Sequence, residues 1–545
     1  MPASHSALPP ASRAGSLQGP SSAPPAVPWF GWYGDDFTGA TDTLAVLAQA
    51  GLRSMLFMGV PTPEALAAAG PLDAVGIAGA ARAMAPEAMR AELAPVGRFF
   101  RHLSPPVVHY KVCSTFDSAP QVGNMACAID ALHPAVDHPW VPIVGGQPNL
   151  GRYCVFSHLF AAAGSGGLVH RIDRHPTMRQ HPVTPMGEAD LRQHLARQGL
   201  QGITALHYPV YEAGDDAVDA ALQALLGQGN AKAPVAAQMA AQRASASAHQ
   251  QHADAISMAI RPSARSEAAA GRPTSEPSMG ERGSVGSHHG TGTGPAEPIP
   301  TLLDLASPSH LATVGRLLWT QAQHARLLAV GSSAVAQALV AHWAAAGRTA
   351  PSALLPSAPL SPAQGPVFAW AGSLSPLTAQ QVEAATDYHR IPVDAARLTG
   401  DAGYAQALCL AICQTLQAGR HVLAHTGPAG APLLPGHEVR SAAQAGSEEH
   451  APSVAQASAD LIARVVQTRA EQGTPLRRIG IAGGDTSSHA VQALGLWGLS
   501  YQTTLAPGVT LSRAHSPCPA RHGMELMLKG GQMGGVDLFK RLLGC

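Results

Sequence analysis

The chain has 545 residues, 46% of them hydrophobic and 13% charged, which is material for two or three buried cores rather than one. Lysine plus arginine equals aspartate plus glutamate, 35 each, with no basic block, so neither nucleic acid nor an anionic membrane is indicated as a partner. Seven scattered cysteines without a C-x-x-C pair suit reduced thiols in a cytoplasm, and the absence of about 18 consecutive apolar residues gives no candidate membrane span.

Residues 1–28 are rich in proline, lack the apolar core of a signal peptide and read as a disordered tail. From 29 to 228, short apolar runs end at small residues and lead into helix-like patterns: "WFGWYGDDFTGATDTLAVLAQAG", "DAVGIAGAARAMAPEAMRAELAPV" and "VVHYKVCSTFDSAPQVGNMACAIDAL". Residues 229–300 read as a disordered linker or insertion. Lys232 to Pro300 contains no Phe, Trp, Tyr or Leu and cannot bury enough surface to offset its chain entropy. His288 and His289 within it are expected to be solvated rather than metal-binding. From 301 to 545 the strand–turn–helix pattern returns in "ARLLAVGSSAVAQALVAHWAAAG", "PVFAWAGSLSPLTAQQVEAA", "RHVLAHTGP" and "LRRIGIAGGDTSSHAVQALG". The expected fold is α/β: two domains, each a largely parallel sheet flanked by helices, with ligands beyond the carboxyl ends of the strands.

The turns carry the chemistry. Asp35 and Asp36 stand at a strand end before Thr38, Gly39 and a helix expected to begin near Ala40; they suit bonds to sugar hydroxyls or removal of a hydroxyl proton. Crowding of like charge would raise one pKa, and the helix dipole offers a purely structural use for Asp36 or Asp42. Arg82, after "GIAGAA", suits a bidentate contact with a carboxylate. Lys111, Ser114, Thr115 and Asp117 follow the strand "PVVHY" and offer a cation and hydroxyls to a polyhydroxylated acid. "RIDRHPTMRQHPVTPM" reads as an ordered loop rather than a metal site, because the six-residue spacing of His175 and His181 does not match zinc ligation.

In the second block Ser375 reads as a helix N-cap followed by Pro376, with Ser373 facing the same crevice. Gly483 and Gly484 allow close backbone approach, and a helix after Ser487 would point amides at a phosphate. Thr486 and Ser487 add hydroxyls, and Asp485 suits magnesium through water. The bland alternative is a turn with Thr486 or Ser487 as cap. "LKGGQMGG", 528–535, sets a lysine beside two glycine pairs that suit nucleotide phosphates or ribose.

Taken in order, "GDDFTGATDTLAVLAQAGL", "YKVCSTFDS", "GRYCVFSHLF", "DRHPTMRQHPVTPM", "AGSLSPLT", "AGGDTSSHAVQALG" and "LKGGQMGG" resemble the four-carbon acid sugar kinase family, most nearly its 3-oxo-tetronate kinases, across 29–545 except the linker. The resemblance implies an N-terminal substrate domain, a C-terminal nucleotide domain and a reaction in the cleft between them. ATP with Mg2+ would phosphorylate the 4-hydroxyl of a C4 acid sugar such as 3-oxo-tetronate. By motif it places Asp35, Asp36, Thr38, Arg82, Lys111, Ser114 and Thr115 around the sugar, with Asp36 or Asp35 as base and Lys111 or Arg82 on the carboxylate. It places Ser373, Gly483, Gly484, Asp485, Thr486 and Gly531 on ATP. Many members read K-K-[IV]-D-S-T-L-R-G where this chain reads "YKVCSTFDS", so Cys113 replaces an Asp and the Arg is missing. D-threonate and D-erythronate are alternative substrates, and a non-catalytic sugar-acid or nucleotide sensor is the alternative of another class. Oligomeric state is left open, a homodimer included.

Overall fold

The computed structural model describes residues 27–163, 167–181, 183–229, 297–349, 360–427, 453–531 and 533–544. The expected tail before Val27, the linker over 230–296 with His288 and His289, and Gln532 lie outside the described residues.

The first part of the chain forms β1 (Phe30–Gly34), β2 (Ser54–Phe57), β3 (Ala74–Ala78), β4 (Val107–Lys111) and β5 (Trp140–Val144). There follow β6 (Gly146–Gln147), β7 (Arg152–Val155), β8 (His158–Ala162), β9 (Val169–Arg171) and β10 (Thr204–Leu206). After residue 297 come β11 (Ile299–Leu303), β12 (Leu327–Gly331), β13 (Phe368–Ala371), β14 (His389–Pro392), β15 (Val422–His425), β16 (Arg478–Ala482), β17 (Gly498–Ala506), β18 (Val509–His515) and β19 (Glu525–Lys529). Fully buried runs such as FGWYG and LLAVG, each ended by glycine, are the form expected of parallel strands covered by helices on both faces.

Among the described residues fifteen of these strands make one continuous sheet, in the order β10-β11-β5-β12-β4-β1-β3-β2-β17-β18-β19-β16-β13-β15-β14. The lobe from β10 to β2 is parallel throughout, as is the lobe from β19 to β14. The antiparallel ribbon β17–β18 joins them, pairing with β2 on one side and β19 on the other. The two largely parallel sheets expected from the sequence are thus lobes of one ladder. Their shared core runs from Phe30, Trp32 and Leu47 through Leu499 and Ala514 to Leu461 and Ile479.

The division at residue 301 shifts. β11 starts inside the expected linker and pairs with β5, while β12 inserts between β5 and β4, so residues 299–345 complete the first lobe and the second begins near 360. "ARLLAVG" has the same buried-strand form in either lobe, and only long-range pairing decides which sheet accepts it. Strands β6 to β9 form a separate antiparallel sheet of four.

Candidate active site

β4, β1 and β3 are neighbours, and their carboxyl ends deliver Lys111, Asp35–Asp36 and Arg82 to one place. Asp36 is extended and caps the helix Phe37–Gln49, which begins three residues before Ala40. Its Oδ1 accepts the Gly39 amide at 2.9 Å and its Oδ2 the Thr38 hydroxyl at 2.7 Å. Asp35, whose amide donates to the Lys111 carbonyl at 3.0 Å, has its carboxylate buried. Arg82 clasps both acids: Nε and Nη2 donate to the two oxygens of Asp35 at 3.1 and 2.8 Å, and Nη1 donates to Asp36 Oδ2 at 3.0 Å. Lys111 Nζ stands 3.7 Å from Asp36 Oδ1, and a Cβ on Gly39 would overlap it, so glycine is needed for this approach.

Two cations therefore offset the two adjacent carboxylates. Burial, more than the neighbouring Asp36, raises the pKa of Asp35 despite Arg82. For Asp36 burial acts in the same direction but is outweighed by Arg82, Lys111 and the Thr38 and Gly39 hydrogen bonds, which bring it down to about 2. Arg82 is engaged inside the cluster rather than held open for a ligand carboxylate.

Past Lys111 the chain turns through half-buried Cys113 and Ser114. Thr115 donates to Asp117 at 2.5 Å, its hydroxyl lies 2.9 Å from the Cys113 sulfur, and buried Phe116 takes φ +56. Burial and Asp117 push the Cys113 thiol up to about 11, so it stays neutral. The histidine-bearing stretch is ordered over its described residues: His175 Nδ1 accepts the amides of Thr177 and Met178, each at 3.2 Å, and His181 Nδ1 accepts the amide of Thr184 at 3.1 Å. His181 favours the charged form of Asp117, which sets this stretch beside the Cys113–Asp117 turn. No group of three metal-ligating side chains occurs among the described residues.

In the second lobe β19, β16 and β13 are neighbours whose ends pass into Gly530, Gly483 and Gly372. The amides of Gly372 and Ser373 donate to the Ala482 carbonyl at 2.8 and 3.2 Å, and that of Gly483 to the Lys529 carbonyl at 2.8 Å. Gly483, at φ +138, is the N-cap of the helix Gly484–Ala493, which starts before the position expected from the sequence. Thr486 and Ser487 lie buried in its first turn instead of capping it, and glycine brings no side-chain acceptor, so the amides of Gly484, Asp485 and Thr486 have no intrahelical partner. Ser375 caps the helix Pro376–Ala384 as expected, accepting the Thr378 amide at 3.1 Å.

Lys529 is the residue here whose surroundings sequence did not reveal. It is fully buried and donates to Thr378 Oγ1 at 2.7 Å and to the Gly531 carbonyl at 3.2 Å; burial pulls its pKa down to about 7. A Cβ on Gly531 would stand 2.7 Å from Ser373 Oγ, one on Gly483 3.3 Å from the Ser373 amide, and one on Gly372 would overlap Thr486 Oγ1, so Ser373, Gly483, Thr486 and Gly531 adjoin one another, with Gly484 and Asp485 following Gly483 in the chain.

The two clusters meet. A Cβ on Gly530 would lie 3.9 Å from Thr38 Oγ1, and the helix Phe37–Gln49 packs on β17, β18, β19 and the helix Gly484–Ala493. Parallel strands of opposite sense would keep their carboxyl ends apart in a flat sheet; twist accumulated across the ribbon, increased by irregularities at Tyr501/Thr503 and Thr504/Ala506, brings them together.

Comparison with known sequences finds a sugar-binding N-terminal domain over residues 30–265 and a nucleotide-binding C-terminal domain over 368–539. The chain is 33% identical to a 3-oxo-isoapionate kinase of Paraburkholderia graminis over 93% of this chain and 92% of that protein. It is 28% identical to a 3-oxo-tetronate kinase of Methylobacterium radiotolerans over 94% and 98%. A solved structure from Salmonella typhimurium LT2, which carries a provisional tRNA-synthase name, superposes with a TM-score of 0.64 over 94% of this chain and 98% of that one; at 22% identity it shows the fold alone.

Proposed function

The chain belongs to the four-carbon acid sugar kinase family as an ATP-dependent sugar-acid kinase, and from that premise we propose that it phosphorylates the terminal hydroxyl of a 3-oxo sugar acid. As a kinase it is not the binding-only sensor of the alternative reading. 3-Oxo-isoapionate stands beside 3-oxo-tetronate as a candidate, because the relative named for it is 33% identical over nearly the whole chain. The single observation that supports the reading is the approach of Thr38, two residues from Asp36, to Gly530 at the start of the glycine-lined turn.

In this reading Asp35 accepts the proton of the attacking hydroxyl. Both acids are hydrogen-bonded by Arg82, and the raised pKa of Asp35 suits a base better than the about 2 of Asp36. Thr38, Ser114 and Thr115 offer hydroxyls to the sugar, and Lys111 and Arg82 hold the two carboxylates in position. The free amides of Gly484, Asp485 and Thr486 receive phosphate oxygens, with Ser373, Gly483 and Gly531 lining the approach. Asp485 in the first helical turn suits Mg2+, which when bound would neutralise phosphate charge. A cytoplasmic location, where ATP is at hand, completes the reading.

The test is ADP release from ATP with 3-oxo-isoapionate, 3-oxo-tetronate, D-threonate and D-erythronate at equal concentration. The highest kcat/KM is expected with a 3-oxo acid. Turnover confined to D-threonate or D-erythronate replaces the substrate assignment, and turnover of none of the four overturns it.

A further inference from the structure

We propose that Arg152 is the cation that receives the substrate's carboxylate, an inference that rests on the sugar-acid reading above. A sugar acid brings one carboxylate into the first lobe, and a guanidinium fork matches it in shape as well as charge. The cations named from sequence are occupied: Arg82 clasps Asp35 and Asp36, and Lys111 faces Asp36. The turn Cys113–Asp117 supplies none, since position 117, where the related motif has Arg, is Asp here.

Arg152 opens β7 in the four-stranded sheet and forms no ion pair among the described residues. Among the described residues its one side-chain hydrogen bond runs from Nη1 to the Leu150 carbonyl, and its Nε is buried without an acceptor. Burial lowers its pKa, and the groups that act on it are Cys113 and Tyr153, neither of them a carboxylate; on its other side its charge disfavours protonation of His175. Arg152 is half-buried, and a guanidinium with a buried, unpartnered nitrogen and no anion is costly unless a ligand supplies one.

The surroundings fix Arg152 beside the acid cluster. Its register partner across β6 is Gln147, whose Nε2 donates to Asp42 Oδ2 at 3.2 Å on the helix that Asp36 caps. The hairpin that follows Arg152 is pinned by buried Asp304, which accepts the amides of Phe156 and Ser157 at 2.8 and 3.0 Å. Cys113 completes the logic: where many relatives by motif carry Asp, this chain has a neutral thiol, leaving Arg152 uncompensated and free to select a ligand that is itself an anion.

The experiment compares wild type with R152Q and R152K, using the best sugar acid from the four-acid screen and the uncharged tetritol erythritol. R152Q should raise KM for the acid about tenfold to a hundredfold, shrink the preference for acid over tetritol by the same factor, and leave KM for ATP and most of kcat unchanged. R152K, which keeps charge without the fork, should recover part of the loss. An unchanged acid KM in R152Q, or equal losses for acid and tetritol, overturns the proposal. If R152Q loses ATP binding as well, R152K decides: a raised acid KM with normal ATP affinity supports the contact and an unchanged one removes it. Should wild type turn over no sugar acid, the function fails separately, and calorimetric titration of the same acids into wild type and R152Q decides the Arg152 contact. Tighter binding to wild type sustains it; equal affinity, or no binding to either, overturns it.

Discussion

Replacing Gly39 with alanine sets two effects of known size against each other. Gly39 lies in the first turn of the helix Phe37–Gln49, where alanine is favoured over glycine by roughly 1 kcal/mol. Its Cβ would overlap Lys111 Nζ and also clash with Asp36 Oδ1, so the ammonium must leave its place 3.7 Å from the carboxylate and the Asp36 side chain must give way. The atoms in the way are the tips of two side chains, Lys111 and Asp36, so the fold survives and the propensity gain nearly cancels the lost pairing. Catalysis has no such compensation: a charge-assisted contact of about 1.5–3 kcal/mol is removed from the residues that hold the acceptor, worth about tenfold to a hundredfold in kcat/KM. G39A should therefore melt within a few degrees of wild type yet release ADP that much more slowly in a coupled assay. Full activity in G39A, with or without a higher melting temperature, would show that the Lys111–Asp36 approach does not serve the reaction.

The two aspartates should separate by pH. Because the Asp35 pKa is raised and the reaction needs its deprotonated form, kcat/KM should fall with acid through a pKa above the ordinary aspartate value, a limb Asp36 at about 2 cannot produce. D35N should lose about 10²- to 10⁴-fold in kcat. D36N retains a competent cap and should stay within about 1 kcal/mol in stability while losing less activity; equal profiles for the two variants would refute the assignment. Lys529, at about 7 in the folded protein against an ordinary 10.5, bears its charge at a cost that is complete below pH 7 and relieved as pH rises towards 10.5. An anionic nucleotide favours the charged form, so ATP affinity measured by calorimetry should weaken as pH climbs through 7, and K529M should weaken ATP binding and flatten that dependence; the same slope in both proteins counts against it. G483A forces a side chain onto φ +138 within 3.3 Å of the Ser373 amide, and KM for ATP should rise about tenfold or more while KM for the sugar acid holds; the reverse pattern would put the cradle in the wrong lobe.

Strands such as FGWYG, AVGIA and RIGIA were legible because apolar runs stopped by glycine or small residues carry local information, and Ser375 was legible as a cap from the proline that follows it. The helix starts at Phe37 and Gly484 were read late: Asp36 caps across Gly39, and Gly483 caps with backbone alone, leaving no side-chain signature. Pairing was beyond reach of local pattern. Nothing within "ARLLAVG" tells that it lies between β4 and β5, and nothing within residues 498–515 tells that they join two lobes. The site residues were found as types, but their allegiances are tertiary facts. Arg82 is spent on Asp35 and Asp36, while Arg152, visible only inside "GRYCVFSHLF", has an Nε without an acceptor and no carboxylate partner among the described residues.

Between β2 and the ribbon the ladder narrows to two residue pairs, Gly498 with Phe57 and Leu499 with Leu56. A seam so thin, and the sole strand pairing between the lobe and the ribbon among the described residues, resists bending little. Small rotations there move Thr38 relative to Gly530 without disturbing either strand-end cluster, so the width of the gap can vary while each half keeps its own chemistry intact. This thin stitch between the lobes is thus also the element that sets how far donor and acceptor stand apart.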